Sequence, residues 1–267
     1  MTVVRWSSPE LPLFTNPEGV SLDVDSVSIE PKFGRNPAVS TTVVPICFGG
    51  FYRTPTALTS LEILSDDPND DAAGTGAREV TIYGIVDGWV LGSTTVEMDG
   101  TNAVAIDTQF YRIFRVKVTK SGTYASQSSA SQKGTITVRG AGGGDTWCVV
   151  GEISAGFGVS QSQIGAYTIP SGKVGYIKKI FASVDSGKTA SLYMFVREHC
   201  DDVSAPYTGV MQVKLEADGL QGPNNIPLDS PLSPMIGPCD VGFMGKVAST
   251  DASMTIDFEI MMFDIST

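Results

Sequence analysis

Few residues of this chain combine the types and spacing that chemistry requires. The single histidine, His199, directly precedes Cys200 at the predicted end of a strand. A histidine base needs a positioned nucleophile, and adjacent residues of a strand point to opposite faces, so Cys200 is poorly placed for that role. We therefore predict no catalytic residue and a protein that is not an enzyme. A depolymerase acting on polysaccharide is the enzymatic alternative.

The densest group of acidic side chains lies in one loop, at Asp66, Asp67, Asp70 and Asp71. Carboxylates gathered in a loop could hold a hard cation such as calcium through oxygen ligands. The spacing is not that of an EF-hand, and the closing glutamate of that motif is missing. We favour a solvated loop between two strands and keep a calcium site as the weaker alternative. No other metal site and no cofactor is predicted.

The four cysteines are spread along the chain and form no CxxC pair: Cys47, Cys148, Cys200 and Cys239. Neither a zinc site nor a redox motif is indicated. Their apolar surroundings favour buried free thiols over disulfides.

Three aromatic residues could form a sugar-binding patch if they are exposed: Trp89, Tyr124 and Tyr207. Core packing explains such residues more often than ligand binding does.

The charge balance argues against nucleic acid as a partner. The 267 residues include 29 acidic and 18 basic side chains, giving a net charge of −11. Binding to phosphate backbones depends on clustered lysine and arginine, which this balance opposes.

No run approaches the roughly 20 apolar residues of a membrane span, and the first residues lack the apolar stretch of a secretory signal. We therefore expect no membrane partner and assembly in a reducing cytoplasm.

Short β-rich runs separated by turn residues fill the chain after residue 40. Apolar and polar residues alternate in Phe114–Thr119, as a strand with one solvated face requires. Asp87-Gly88 and Asp99-Gly100 have the composition of hairpin turns. About seven such runs fall in each half, among them Tyr111–Thr119 in the first half and Val174–Val184 and Gly209–Leu215 in the second, and nowhere does a helical period persist. The predicted fold is all-β, with two tandem β-sandwich domains of the jelly-roll kind.

Two segments suggest the domain limits. Residues 1–40 contain five prolines and build no helical period, which indicates an extended N-terminal arm. The glycine-rich segment Arg139–Asp145 reads as a linker, so the domains are predicted at 41–140 and 146–267. The arm is too apolar to stay in solvent and should bind a partner surface through Trp6, Leu11, Leu13, Phe14 and Phe33.

Several strings of this sequence resemble a family of virion structural proteins of tailed bacteriophages. The strings are Tyr52-Arg-Thr-Pro-Thr-Ala-Leu-Thr-Ser-Leu-Glu-Ile-Leu-Ser-Asp66, Asn69-Asp-Asp-Ala-Ala-Gly-Thr-Gly-Ala-Arg78 and Val80-Thr-Ile-Tyr-Gly84. The resemblance continues through Tyr111–Val118, Gly134–Val138 and Tyr167–Ile177, and together these strings cover most of residues 33–200. The C-terminal third matches less clearly, and the acidic loop is more charged than is usual in the family. The resemblance implies a scaffold without catalysis, located on the head, the neck or the tail of the particle.

We accordingly expect a virion protein assembled in the host cytoplasm. Its partners would be other virion proteins, namely the major capsid protein or portal, neck or tail subunits, and further copies of itself. The favoured role is head decoration or fibre anchoring, with the N-terminal arm docked on neighbouring subunits. The alternative is a tail or fibre component that binds a host receptor or glycan.

Overall fold

The computed structural model describes residues 22–126, 128–154, 157–228 and 234–265. These residues form small antiparallel sheets and contain no α-helix, which confirms the predicted all-β class. One 3-10 turn, Asp87–Trp89, is the helical element within these ranges. Four of the sheets pack face to face in two pairs, each pair around its own apolar core.

The first pair, which we call the inserted sandwich, is built from the middle of the chain. One sheet has the order β6 (Val104–Phe110), β3 (Thr59–Ser65), β8 (Ile136–Gly140), β9 (Thr146–Val150). The other has the order β5 (Leu91–Glu97), β4 (Ala77–Ile85), β7 (Arg112–Ser121). Alternate residues of β3 and β4, such as Ile63 and Ile82, enter the shared core and are fully buried, as the two-residue period of a strand requires.

The second pair, the terminal sandwich, combines both ends of the described chain. Sheet A has the order β1 (Leu22–Val39), β19 (Ala252–Ile265), β13 (Lys173–Val184), β16 (Pro223–Asn225), and β17 (Met235–Ile236) also pairs with β13. Sheet B has the order β12 (Ala166–Ile169), β18 (Cys239–Val247), β14 (Ala190–Glu198), β15 (Gln212–Leu220), and β2 (Val44–Pro45) also pairs with β18. A small hairpin, β10 (Glu152–Ser154) and β11 (Phe157–Gly158), stands apart from both pairs.

The predicted N-terminal arm is wrong for residues 22–39. These residues form β1, which pairs along its length with β19, from Leu22 opposite Ile265 to Val39 opposite Ala252. The prolines misled the interpretation because β1 is an edge strand, and an edge strand needs ladder hydrogen bonds on one side only. Residues 1–21, with Trp6, Leu11, Leu13 and Phe14, lie outside the described residues. Whether they bind a partner therefore stays a prediction.

The predicted linker at Arg139–Asp145 is also wrong. The segment closes the hairpin between β8 and β9, and the Gly140 amide donates to the Asp145 carbonyl at 2.9 Å. Gly142 and Gly143 have φ values of +73° and +80°, which glycine adopts without steric cost. Their amides donate to the Glu62 carboxylate at 2.9 and 3.1 Å, and these hydrogen bonds, with that from Arg139, lower the pKa of Glu62. The glycines thus serve a tight turn.

The two sandwiches do not follow one another along the chain, because one is inserted between strands of the other. The inserted sandwich runs from β3 to β9 and interrupts the terminal sandwich, whose β1 and β2 precede it and whose β12 to β19 follow it. Two chain connections therefore link the sandwiches. The second connection includes the β10–β11 hairpin, and contacts between the two sandwiches also hold them in position.

Candidate functional site

A buried ion pair joins the two sandwiches. Arg112 at the start of β7 and Asp240 in β18 are 1% and 0% exposed. The Arg112 guanidinium donates from Nε to Asp240 Oδ1 at 3.0 Å and from Nη2 to Oδ2 at 3.0 Å. This two-point geometry is the strong form of an arginine–carboxylate contact. Burial would lower the pKa of Arg112, but the charge and hydrogen bonds of Asp240, with smaller contributions from Tyr52 and Cys200, together raise it.

The remaining polar atoms of this pair have partners. Arg112 also donates to the carbonyls of Pro55 and Tyr111 at 3.0 and 2.9 Å. Asp240 Oδ1 accepts from the Thr168 hydroxyl at 2.7 Å, and that hydroxyl lies 2.8 Å from Tyr52 Oη. A buried pair of charges is stable only when its other hydrogen-bonding groups are satisfied, and this network meets that condition.

Trp89 packs at the same junction. Its ring stacks on Tyr111 with centroids 4.4 Å apart and 11° between planes, and the Arg112 guanidinium lies 5.2 Å from its centroid. The Trp89 carbonyl accepts the Ser171 amide at 2.9 Å, which links the β4–β5 loop to the β12–β13 turn of the terminal sandwich. Trp89 is half-buried and packs at the junction, and a role for it in a sugar-binding patch stays a prediction.

Lys32 is a second buried cation at the junction. It lies on the inner side of β1, is 4% exposed, and donates from Nζ to the carbonyl of Phe114 in β7. The Nζ atom also lies 5.5 Å from the centroid of the Phe114 ring and 6.0 Å from that of Tyr167. Burial, followed by repulsion from Arg115, lowers the pKa of Lys32 to about 7. Burial thus disfavours the protonated form of this amine.

The sequence did not lead us to expect buried charges at Arg112, Asp240 and Lys32. Arg112 has one signal, because it shares the two-residue period of Phe114 and Val116, whose side chains are buried. Asp240 and Lys32 have no such signal. Their burial depends on contacts between segments far apart in the chain.

The acidic loop is folded around one of its carboxylates. Asp70 is fully buried; its Oδ1 accepts the amides of Ala77 and Lys133 at 2.7 and 2.8 Å. Its Oδ2 accepts the Ser65 hydroxyl and the Gly134 amide at 2.7 and 2.9 Å. A carboxylate that bonds four donors of the protein has its lone pairs occupied. Asp70 therefore holds the β3–β4 loop against the strand β8 that follows Gly134.

The other three carboxylates of the loop also accept hydrogen bonds from the protein. Asp66 accepts the Thr135 amide at 2.6 Å, Asp67 accepts the Asn69 amide at 2.8 Å, and Asp71 accepts the Ala73 amide at 2.9 Å. Within the described ranges, no three His, Cys, Asp or Glu side chains gather as a metal site. The structure thus gives these residues a part in loop folding and adds no support to the calcium alternative.

His199 and Cys200 diverge at the end of β14. His199 is exposed and has a φ of +52°, whereas Cys200 is 4% exposed. Burial raises the pKa of the Cys200 thiol, which lowers the fraction of nucleophilic thiolate. The expected separation of the two side chains is thus present.

All four cysteines are buried free thiols, as predicted, and burial raises the pKa of Cys47 and of Cys148 to about 12.

The other residues considered for binding lie in different elements of the structure. Tyr124 in the β7–β8 loop is 96% exposed and Tyr207 in the β14–β15 loop is 55% exposed. Phe33, the one member of the proposed binding arm that is described, lies in β1 opposite Asp257 and is 41% exposed.

In the described part of the chain, no helix has the length and apolar character needed to cross a membrane.

Comparison with known proteins leaves the family open. No family model matches the chain, and no curated protein matches it. Among solved structures, the Gx strain of infectious bursal disease virus shows 10% identity and a TM-score of 0.20, covering 92% of this chain and 78% of that one. The VP2 subviral particle of the same virus gives 10% identity, a TM-score of 0.19, and the same coverage. Likeness at this level carries no argument about fold or function.

Proposed function

We propose that this protein is a non-enzymatic structural component of a bacteriophage virion, most simply a head decoration or fibre-anchoring protein. In this role its N-terminal segment docks on neighbouring virion subunits, and its two sandwiches, each of the jelly-roll kind, form a rigid block on the particle. The observation that carries the proposal is the junction. The buried charged groups there connect the two sandwiches, as a rigid spacer on a particle requires.

The strings that resemble phage virion proteins have structural roles here, and this supports the proposal. In the β3–β4 loop, a Cβ on Gly74 would lie 2.2 Å from the Asn69 carbonyl oxygen, and one on Gly76 would lie 2.1 Å from Asp70 Oδ1. Arg78 donates from Nε to the Gly74 carbonyl at 2.9 Å. The glycines therefore permit close packing around Asp70, and the string encodes a folded loop of the scaffold.

The proposal is tested by incorporation into particles. Deleting residues 1–21 spares β1 and should reduce the amount of chain that copurifies with phage particles by about tenfold or more. Attachment through many weak contacts is lost when each copy lacks the segment that makes its contact. The measurement is quantitative mass spectrometry of particles assembled with the tagged wild-type or deleted chain. Val213→Asp, which changes an exposed side chain of β15, is the control and should be incorporated normally. Equal incorporation of the deleted chain would contradict the docking role.

The second candidate is a tail or fibre component that binds a host receptor or glycan. It is favoured by the β14–β15 loop, where Tyr207, Val210 and Met211 are each more than half exposed. Exposed apolar groups in one loop are typical of binding surfaces. A glycan array would show a hit that Tyr207→Ala removes and Tyr124→Ala preserves.

A further inference from the structure

Sheet A carries a second apolar surface on the side that faces away from the core. Four buried residues form it, and we call them the outer-face cluster: Val174, Tyr176, Met261 and Phe263. Along β19, Met261 and Phe263 alternate with Ile260 and Met262, which belong to the main core. Successive side chains of a strand point to opposite faces, so the outer-face cluster lies on the opposite side of the sheet.

Cross-strand pairing extends this surface over four strands. Ile236 of β17 is opposite Val174, and Val174 is opposite Phe263. Tyr176 is opposite Met261, and Met261 is opposite Ile29 of β1. Residues directly opposite each other share a face, so Ile29 and Ile236 border the cluster. They are 50% and 41% exposed. The four cluster residues are themselves buried although they face away from the core, and the exposed side chains of Ile29 and Ile236 continue the apolar band at its border, as in a binding surface.

We propose that the outer-face cluster is the binding site for residues 1–21 of the same chain. Leu22 and Ile265 are opposite each other and pack against the cluster, so the N-terminal segment starts at its rim. The segment is apolar at Trp6, Leu11, Leu13 and Phe14, and twenty-one residues can extend to about 70 Å. These residues lie outside the described ranges, so the assignment depends on their sequence and on the position of Leu22.

The same chain is a better source of the segment than a second copy. Residues 15–21 form a tether of seven residues between Phe14 and Leu22, and a short tether gives an effective concentration in the millimolar range. Separate copies with a net charge of −11 repel each other. The string Asn16-Pro17-Glu18-Gly19 has the composition of a turn. This inference concerns the isolated chain and does not depend on the proposed function; on a particle, the proposed docking of the same segment on a neighbouring subunit would require its release from the outer-face cluster.

Protease protection in the full-length chain tests the proposal. An endoproteinase that cuts after glutamate can attack Glu10 and Glu18, and mass spectrometry follows the two cuts. We expect cleavage at both sites to be about tenfold or more slower than in a synthetic peptide of residues 1–21. Docking lowers the fraction of chains in which this segment is accessible to the protease. Ile29→Asp should bring the cleavage rate within about twofold of the peptide rate, since it places a charge beside the cluster.

Two controls keep the test decisive. Val213→Asp changes an equally exposed apolar residue of sheet B and should preserve the protection, and circular dichroism should show that both variants are folded. Protection that persists on dilution, with a monomer mass by light scattering, supports the same-chain site. Cleavage of the wild-type chain at the peptide rate, equal effects of the two variants, or protection lost on dilution would overturn it. None of these outcomes depends on incorporation into particles.

Discussion

Replacing Asp240 with alanine should lower the free energy of unfolding by about 3–5 kcal/mol, because it leaves the Arg112 charge buried without its partner. The cost is large because both side chains are almost completely shielded from solvent. Urea unfolding followed by far-ultraviolet circular dichroism measures it. Since the ion pair connects the two sandwiches, we also expect the variant to unfold over a broader transition than the wild-type chain.

Two further variants separate the ion pair from general effects of the substitution. Asp257→Ala removes a half-exposed carboxylate 3.6 Å from Lys179 and should cost less than about 1 kcal/mol. The double variant Arg112→Met, Asp240→Leu should be more stable than Asp240→Ala, since apolar side chains of similar volume leave no buried charge. Equal stability of Asp240→Ala and Asp257→Ala would refute the role given to the junction.

The stability of the chain should rise with pH above neutrality because of Lys32. Its pKa is about 7 in the folded chain and near 10.5 when unfolded. Between these values the unfolded chain binds more protons, so raising the pH favours the folded state, by up to about 1.4 kcal/mol per pH unit. Below the folded pKa the charged amine is buried and its cost is fully present. The contribution is thus unfavourable at low pH and fades as the pH approaches the unfolded pKa.

The Lys32→Met variant isolates this effect. It should be more stable than the wild-type chain at about pH 6, and its advantage should shrink by about pH 9. The raised pKa values of Cys47 and Cys148 oppose the trend at alkaline pH, but both chains contain these thiols, so the difference cancels their effect. Lys120→Met, which changes an exposed side chain, is the control. Urea curves whose difference from wild type does not change with pH would contradict the prediction.

Local pattern predicted those strands whose residues alternate or are continuously apolar. The run Tyr111–Thr119 corresponds to β7, and Val174–Val184 corresponds to β13. The strand β6 was missed, because Asp107 and Gln109 dilute its apolar residues. The end of β15 was missed because Asp218 and Gly219 have the composition of a turn. These errors concern strands with one exposed face, where local composition is a weak guide.

The pairing of strands was beyond the reach of local pattern. Nothing in the residues of β1 identifies β19 as its partner, so the insertion was missed and the glycine-rich turn was interpreted as a linker. The same limit applies to the junction, since the pairing of Arg112 with Asp240 bridges residues 128 positions apart. The buried free thiols, by contrast, were predicted correctly from their apolar neighbours.

The pairing of β1 with β19 has a consequence for synthesis on the ribosome. The inserted sandwich is continuous along the chain and can fold as soon as β9 has emerged. At translation rates of about 5–20 residues per second, β1 waits on the order of ten seconds or more for β19, its only ladder partner among the described strands. During that interval the nascent chain exposes the edge of β1 and the apolar side of an incomplete sheet. A nascent chain stalled before β19 is therefore a natural client for ribosome-associated chaperones.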